Sequence, residues 1–146
     1  MMRTLYSLLL LALALPGAAS AQARPVPLEA FAATVSRHWA AGDASALSAL
    51  APEDGSIVLA LGSGDAGAVQ ERHVAAALRD LFRDRETVSV RPAQVTLSGG
   101  EPVHGFSELT WVSRPRGVTR PVTSTVYVGA VFERGAWRLR ELRVLP

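Results

Sequence analysis

A change of period in the second half of the chain constrains its fold more than any other feature. Downstream of "RDRE", at residues 83–86, helical spacing gives way to four segments that alternate or are rich in β-branched and aromatic residues: "TVSVRPAQVTL", "PVHGFSELTWVS", "RPVTSTVYVGAVFE" and "AWRLRELRVL". Between them "SGGE", "RPRG" and "ERGA" carry turn residues, so an antiparallel meander is expected. The third segment holds 14 residues, about 45 Å if straight at ~3.3 Å per residue. A flat sheet of that length does not fit a small domain, and Gly129 is the natural bulge or kink. The last segment also slips parity, with Trp137 and Leu139 on one face and Leu142 and Val144 on the other. A bulge near Arg140 and Glu141 would restore a single apolar face.

Ahead of the meander the periodicity is helical. From Pro27, the residues Leu28, Phe31, Ala32, Val35 and Trp39 recur at helical spacing, with Pro27 suited to the first turn and Gly42 to the stop. Asp43 then precedes "ASALSAL" and reads as an N-cap rather than a catalytic acid. His38 falls roughly 80° from the centre of the apolar stripe, at a boundary where its ring stays wet. "SIVLAL" is an apolar run too short for a helix, hence a buried strand. "GSGDAG" breaks the chain and lacks the lysine and hydroxyl residue of a phosphate-binding loop. "AVQERHVAAALRDLF" forms the principal helix, with Val74, Ala77, Leu78, Leu81 and Phe82 on one face. Gln70 lies about 50° from that face's centre; it either ends the buried face near water or offers its amide to a ligand.

The first residues carry one early charge, Arg3, an apolar run from Leu8 to Leu15, a Pro16-Gly17 break, and two small-residue cleavage patterns. This is a secretory signal peptide over residues 1–21, with cleavage possible after 23, followed by one domain at 24–146. The run is shorter than the roughly 20 residues that span a bilayer, so no stable membrane anchor is expected after cleavage. The mature protein is expected outside the cytoplasm, periplasmic or secreted. There is no cysteine, so packing alone must hold the domain. All fifteen basic residues are arginine. Residues 24–113 hold seven of them against eleven acids, and residues 114–146 hold seven against two. That asymmetry fits either a solvated sheet face or an anion-binding one. Aromatic interleaving of the kind that stacks bases is thin there, and no nucleic-acid partner is expected.

The order helix, short helix, strand, helix and four curved strands resembles the nuclear transport factor 2-like superfamily, a cone-shaped α+β fold shared by ketosteroid isomerases and polyketide cyclases. The resemblance rests on "HWAAGDASALSAL" at the helix corner, "ALRDLF" closing the long helix and "VYVGAVFERGAWRLRELRVL" at the end. More narrowly, that ending is similar to small exported bacterial members of a domain-of-unknown-function family, a likeness that implies no activity. The fold class implied is α+β, with three helices from the N-terminal half packed on a curved antiparallel sheet around a blind pocket. Phe31, Val35, Trp39, Gln70, Trp111 and Tyr127 are the residues expected to line it.

Members that catalyse place a carboxylate base and hydrogen-bond donors in that pocket. Here Tyr127 on the long strand is the mature chain's one tyrosine. Of the remaining candidates, His104 and Glu108 share a strand face with Phe106, Thr110 and Val112, whereas Val103, Gly105, Ser107, Leu109 and Trp111 share the more apolar one. The apolar face should be the core, leaving His104 and Glu108 outside; a bulge at Gly105 would bring Glu108 in as a base. No metal-ligand spacing and no nucleophile elbow occurs, and no cofactor or metal is expected. The favoured reading is binding of a small apolar or amphipathic molecule, or of a protein partner, in the cone. The alternatives are an acid/base isomerase or dehydratase using Glu108 or His104, and a self-association module that forms a homodimer through the sheet.

Overall fold

Helix α1, Leu28–Ala40, buries Leu28, Phe31, Ala32, Val35, Ser36 and Trp39, which is the stripe expected from spacing. It stops at Gly42, whose φ of 65° the absence of a Cβ permits. The N–H of Gly42 bonds to the carbonyl of Trp39 at 3.0 Å and that of Asp43 to the carbonyl of His38 at 2.9 Å, the paired closure that satisfies a helix's last carbonyls. Asp43 then caps α2, Ala44–Ser48, accepting a 3.0 Å bond from the Ala46 N–H through Oδ1. The corner is thus one helix closure running straight into one helix start.

The computed structural model describes residues 27–62 and 65–146. The expected signal peptide at 1–21 and its cleavage sites lie outside the described residues, as do Ser63 and Gly64 of the "GSGDAG" break. Strand β1, Ser56–Ala60, is followed by β2, Gly67–Gln70, then α3, Glu71–Asp84. Four long strands come next: β3, Arg85–Ser98; β4, His104–Pro115; β5, Val122–Glu133; and β6, Ala136–Leu145. With β1 and β2 they form one six-stranded sheet in the order β2-β1-β6-β5-β4-β3. Two corrections to the sequence reading follow. Ala68, Val69 and Gln70 pair with β1 as a strand instead of opening the long helix. The sheet is also not wholly antiparallel, because β1 runs parallel to β6 through Val58↔Glu141, Leu59↔Leu142 and Ala60↔Arg143.

The two irregularities expected at the end of the chain are one feature. Gly129 pairs with Glu141 and Ala130 with Leu139, so Arg140 is the extra residue. Its insertion lets Leu139, Leu142 and Val144 all face the core. A Cβ on Gly129 would meet the Glu141 Cβ at 2.9 Å, so the bulge closes only over a glycine. The bulge also re-aims Arg140 across the sheet: its Nη1 donates to Asp54 Oδ2 at 3.1 Å and to the Ser56 carbonyl at 3.3 Å. The Ser56 N–H, a 2.9 Å donor to Asp54 Oδ1, and then Arg140 hold the Asp54 carboxyl below its ordinary range.

Candidate functional site

The space between helices and sheet is filled by the protein's own side chains. Trp39 and Trp111 are fully buried and meet edge to face with ring centroids 5.3 Å apart, and Phe82 completes the cluster at 5.1 Å from Trp39. Trp111 Nε1 donates to Thr87 Oγ1 at 3.0 Å. Val35, Leu47, Ile57, Val74, Leu78 and Val128 pack around them. Of the residues expected to line a blind pocket, Phe31, Val35, Trp39 and Trp111 are therefore core. Large aromatic rings occupy the volume that an enclosed ligand would need.

Strand β4 keeps its parity throughout. Its pairing with β5 is unbroken from His104↔Val131 to Ser113↔Val122, and no bulge occurs at Gly105. Gly105, Ser107, Leu109 and Trp111 face the helices, while His104, Phe106, Glu108 and Thr110 alternate with them as half-buried residues of the outer face. Tyr127, opposite Glu108, joins that outer face, where its ring stacks on Phe106 at 5.6 Å and 30°. Tyr127 is thus separated by the sheet from Trp39 and Trp111. Burial, then the nearby Glu141 carboxylate, push its phenol above the ordinary value; Arg143 opposes and Glu108 adds to the rise. Gln70 goes elsewhere again: it is exposed, precedes α3 without capping it through its side chain, and borders a polar cleft with Ser45, Ser48, Arg72 and Arg79. The six expected residues do not converge on one cavity. Among the described residues no three His, Asp or Glu side chains come together as a metal site.

Two surface concavities remain in which chemistry and shape coincide. The first is an apolar groove of about 360 Å³ at the end of the cone where α1 begins. Its walls are Leu28 of α1, Val95 and Leu97 of β3, Val103 ahead of β4, and Phe132 and Trp137 at the β5–β6 hairpin, with Pro27 and Glu29 at the rim. The Phe132 N–H bonds to the Val103 carbonyl at 2.8 Å, which ties the two hairpins together. Phe132 and Trp137 meet edge to face at 5.3 Å, and Leu97 is 66% exposed. Gly105 lets α1 lie this close to the sheet, since a Cβ there would fall 2.4 Å from Leu28 Cδ2. The signals for this groove were Leu97, an apolar residue directly before a glycine turn, and Trp137 directly after one.

The second, about 680 Å³, lies at the opposite end of α1. It is bounded by Ala40, Ala41 and Gly42, by Phe82 of α3, by the start of β3 and by the end of β4 with its following loop. Arg85, Arg114 and Arg116 line it.

No family model matches the sequence, and no curated protein matches it. Solved structures do resemble it in fold. A DUF4783 family protein from Bacteroides ovatus aligns with a TM-score of 0.62 at 13% identity, covering 83% of this chain and 94% of that one. A DUF4783 family protein from Bacteroides uniformis aligns at 0.63 and 10% identity, covering 77% and 93%. A ketosteroid isomerase-like protein from Erwinia carotovora atroseptica aligns at 0.64 and 16% identity, covering 80% and 91%. At these identities the likeness is one of fold: three helices on a curved, open sheet, the nuclear transport factor 2-like cone.

Proposed function

We propose that this protein of nuclear transport factor 2-like fold is an exported, non-catalytic binding domain that holds a small apolar or amphipathic molecule in the groove at the start of α1. The observation that carries the reading is the groove's composition: six apolar side chains from five parts of the chain meet there, and among the described residues Glu29 at the rim is its only ionisable one. Its volume is within the range of small-molecule sites, and a Trp-Phe pair gives it a rigid floor. The two bases that the sequence offered, His104 and Glu108, lie on the face of the sheet away from the helices. Fold alone does not choose among these functions, so the side chains of the groove must.

Untargeted mass spectrometry of the purified mature protein tests the reading. A reproducible apolar or amphipathic molecule should accompany the wild type and be lost from Leu97→Asp, an exposed substitution that the fold should tolerate. A molecule retained equally by both proteins would sink it. N-terminal sequencing tests the export: the mature chain should begin at Gln22 or Arg24, and an intact Met1 would remove that part of the proposal.

A second reading is favoured by the outer face of the sheet, where the Phe106–Tyr127 stack lies beside half-buried Thr125 and exposed Leu145. That surface fits a second copy of the chain. Sedimentation of wild type and Tyr127→Glu decides it, a monomer for both ruling it out.

A further inference from the structure

We propose that the cleft between the ends of α1 and α3 and the β4–β5 loop binds a small amphipathic oxyanion: a carboxylate or phosphate head on a flat apolar body. The site is independent of the groove, at the other end of α1.

Three arginines and one carboxylate, Glu86, line this concavity. Two of the arginines are already held by the fold. The Arg85 guanidinium carbon lies over the buried Trp111 ring, 4.7 Å from its centroid, a cation–π contact that uses none of its N–H donors on an acceptor. Arg116 is fixed to the last turn of α3, donating from its backbone N–H to the Asp84 carbonyl at 2.9 Å and from Nε to the Arg83 carbonyl. Arg114 reaches Glu86 only at 3.8 Å, well beyond the ~2.7–2.9 Å of a charge-assisted hydrogen bond. Its Nε is buried and meets no acceptor among the described residues. That enclosed nitrogen is out of reach of the cleft, so an oxyanion there would be met by the outer N–H groups of Arg114, whose side chain is 42% exposed.

A purely structural role can be given to each arginine in turn, as a stack on a ring, a clamp on a helix end or half of a weak ion pair. Such roles do not account for three cations against one acid around a single concavity. Opposing the proposal are the C-terminal ends of α1 and α3, each equivalent to roughly half a negative charge. Those ends are largely answered, α1 by the Gly42 and Asp43 N–H groups and α3 by Arg116. The net positive charge therefore remains. Because the Arg85 and Arg116 guanidinium groups are ordered by other contacts, binding need not order them again. Phe82, Pro115 and half-exposed Val118 supply the apolar wall beside them. The arginine-rich C-terminal part of the sequence, which fitted either a solvated or an anion-binding face, contributes Arg114 and Arg116 here.

Titration calorimetry with 1-naphthoate, its neutral isostere 1-naphthamide and inorganic phosphate tests the site at low salt. Naphthoate should bind at least tenfold more tightly than naphthamide, and phosphate more weakly than naphthoate. Arg114→Gln should weaken naphthoate at least tenfold, about 1.4 kcal/mol. Arg37→Gln, which removes the same charge from the exposed side of α1, should leave it unchanged. Val118→Asp places a negative charge on the exposed rim without disturbing the core and should also weaken naphthoate tenfold, so the test survives an unfolded Arg114 variant. Equal affinity for naphthoate and naphthamide overturns the proposal, as does affinity indifferent to Val118→Asp or lost instead in Trp137→Ala. Phosphate binding as tightly as naphthoate overturns the assignment of the apolar wall.

Discussion

Gly105→Ala is the substitution that most directly tests how α1, β4 and the groove are coupled. The added methyl would lie 2.4 Å from Leu28 Cδ2, 3.0 Å from Cδ1 and 3.3 Å from Cγ. Ordinary carbon contacts are about 3.5–4.0 Å, so Leu28 must retreat by roughly 1 Å or turn away. Leu28 is 6% exposed and borders the groove, so the groove is the space into which it can move. Overpacking costs about 1–3 kcal/mol, and replacing a strand glycine returns about 0.5–1 kcal/mol. The net loss should be about 1 kcal/mol, accompanied by weaker binding of any groove ligand. Leu28→Ala alone should cost about 2 kcal/mol, the low end for a buried leucine because the site opens onto the groove. The double variant should be less destabilised than the sum by about 1 kcal/mol or more, since removing Leu28 removes the clash. Urea unfolding followed by tryptophan fluorescence measures all three. Effects that add to within about 0.5 kcal/mol would mean that Leu28 does not rest on Gly105, and the groove as described would not exist.

Asp43→Ala should cost about 1 kcal/mol, while His38→Ala, half-buried at the edge of α1, should stay within about 0.5 kcal/mol; thermal melts separate them. Trp111→Ala should cost about 3–5 kcal/mol and Glu108→Gln almost nothing; the reverse order in a melt would mean that the faces of β4 are exchanged. The phenol of Tyr127, raised above its ordinary 10.0 chiefly by burial and then by Glu141, should titrate at a higher pH than free tyrosine, read without Tyr6 in a chain that begins at Gln22 or Arg24. Because the folded value is the higher one, its contribution is complete below pH 10 and is lost as the pH rises through the folded value. Ultraviolet absorbance reads that titration, and Glu141→Gln should lower its midpoint. Asp54 has the opposite sign: held below its ordinary 3.8, it stabilises above that pH and ceases to as the pH falls through the lowered value, an effect that Arg140→Gln should reduce in acid unfolding.

The local grammar of this chain was readable because each signal fits within a few residues. The closure at Gly42, the cap at Asp43, the faces of β4 and the parity slip repaired at Arg140 each follow from neighbours in sequence. Strand β2 escaped because Ala68, Val69 and Gln70 continue the helical phase of α3, and only pairing with β1 makes them extended. The parallel contact of β1 with β6 has no local signature at all. Nor could apolar character separate core from pocket lining. Whether Trp39 and Trp111 fill the cone or surround a ligand depends on volumes summed over several elements, and here the rings meet. Tyr127 failed as a pocket candidate for a simpler reason, since it lies one residue out of phase with Val126 and Val128. The apolar groove was missed because its walls come from two hairpins and a helix start.

The parallel seam between β1 and β6 also governs the order in which the molecule can assemble. Val58 finds Glu141, and the Leu139 N–H finds the Leu50 carbonyl at 2.7 Å, only after the chain has returned from one end of its sequence to the other. Closing so long a loop brings its reward late, which slows folding. The β3–β5 meander can form from neighbouring strands, but β1 and β2 join it through β6 alone. A nascent chain lacking β6 therefore carries two additional open sheet edges, on β1 and on β5, each able to recruit a foreign strand. Removing β6 would leave two separate pieces of sheet instead of a shortened one.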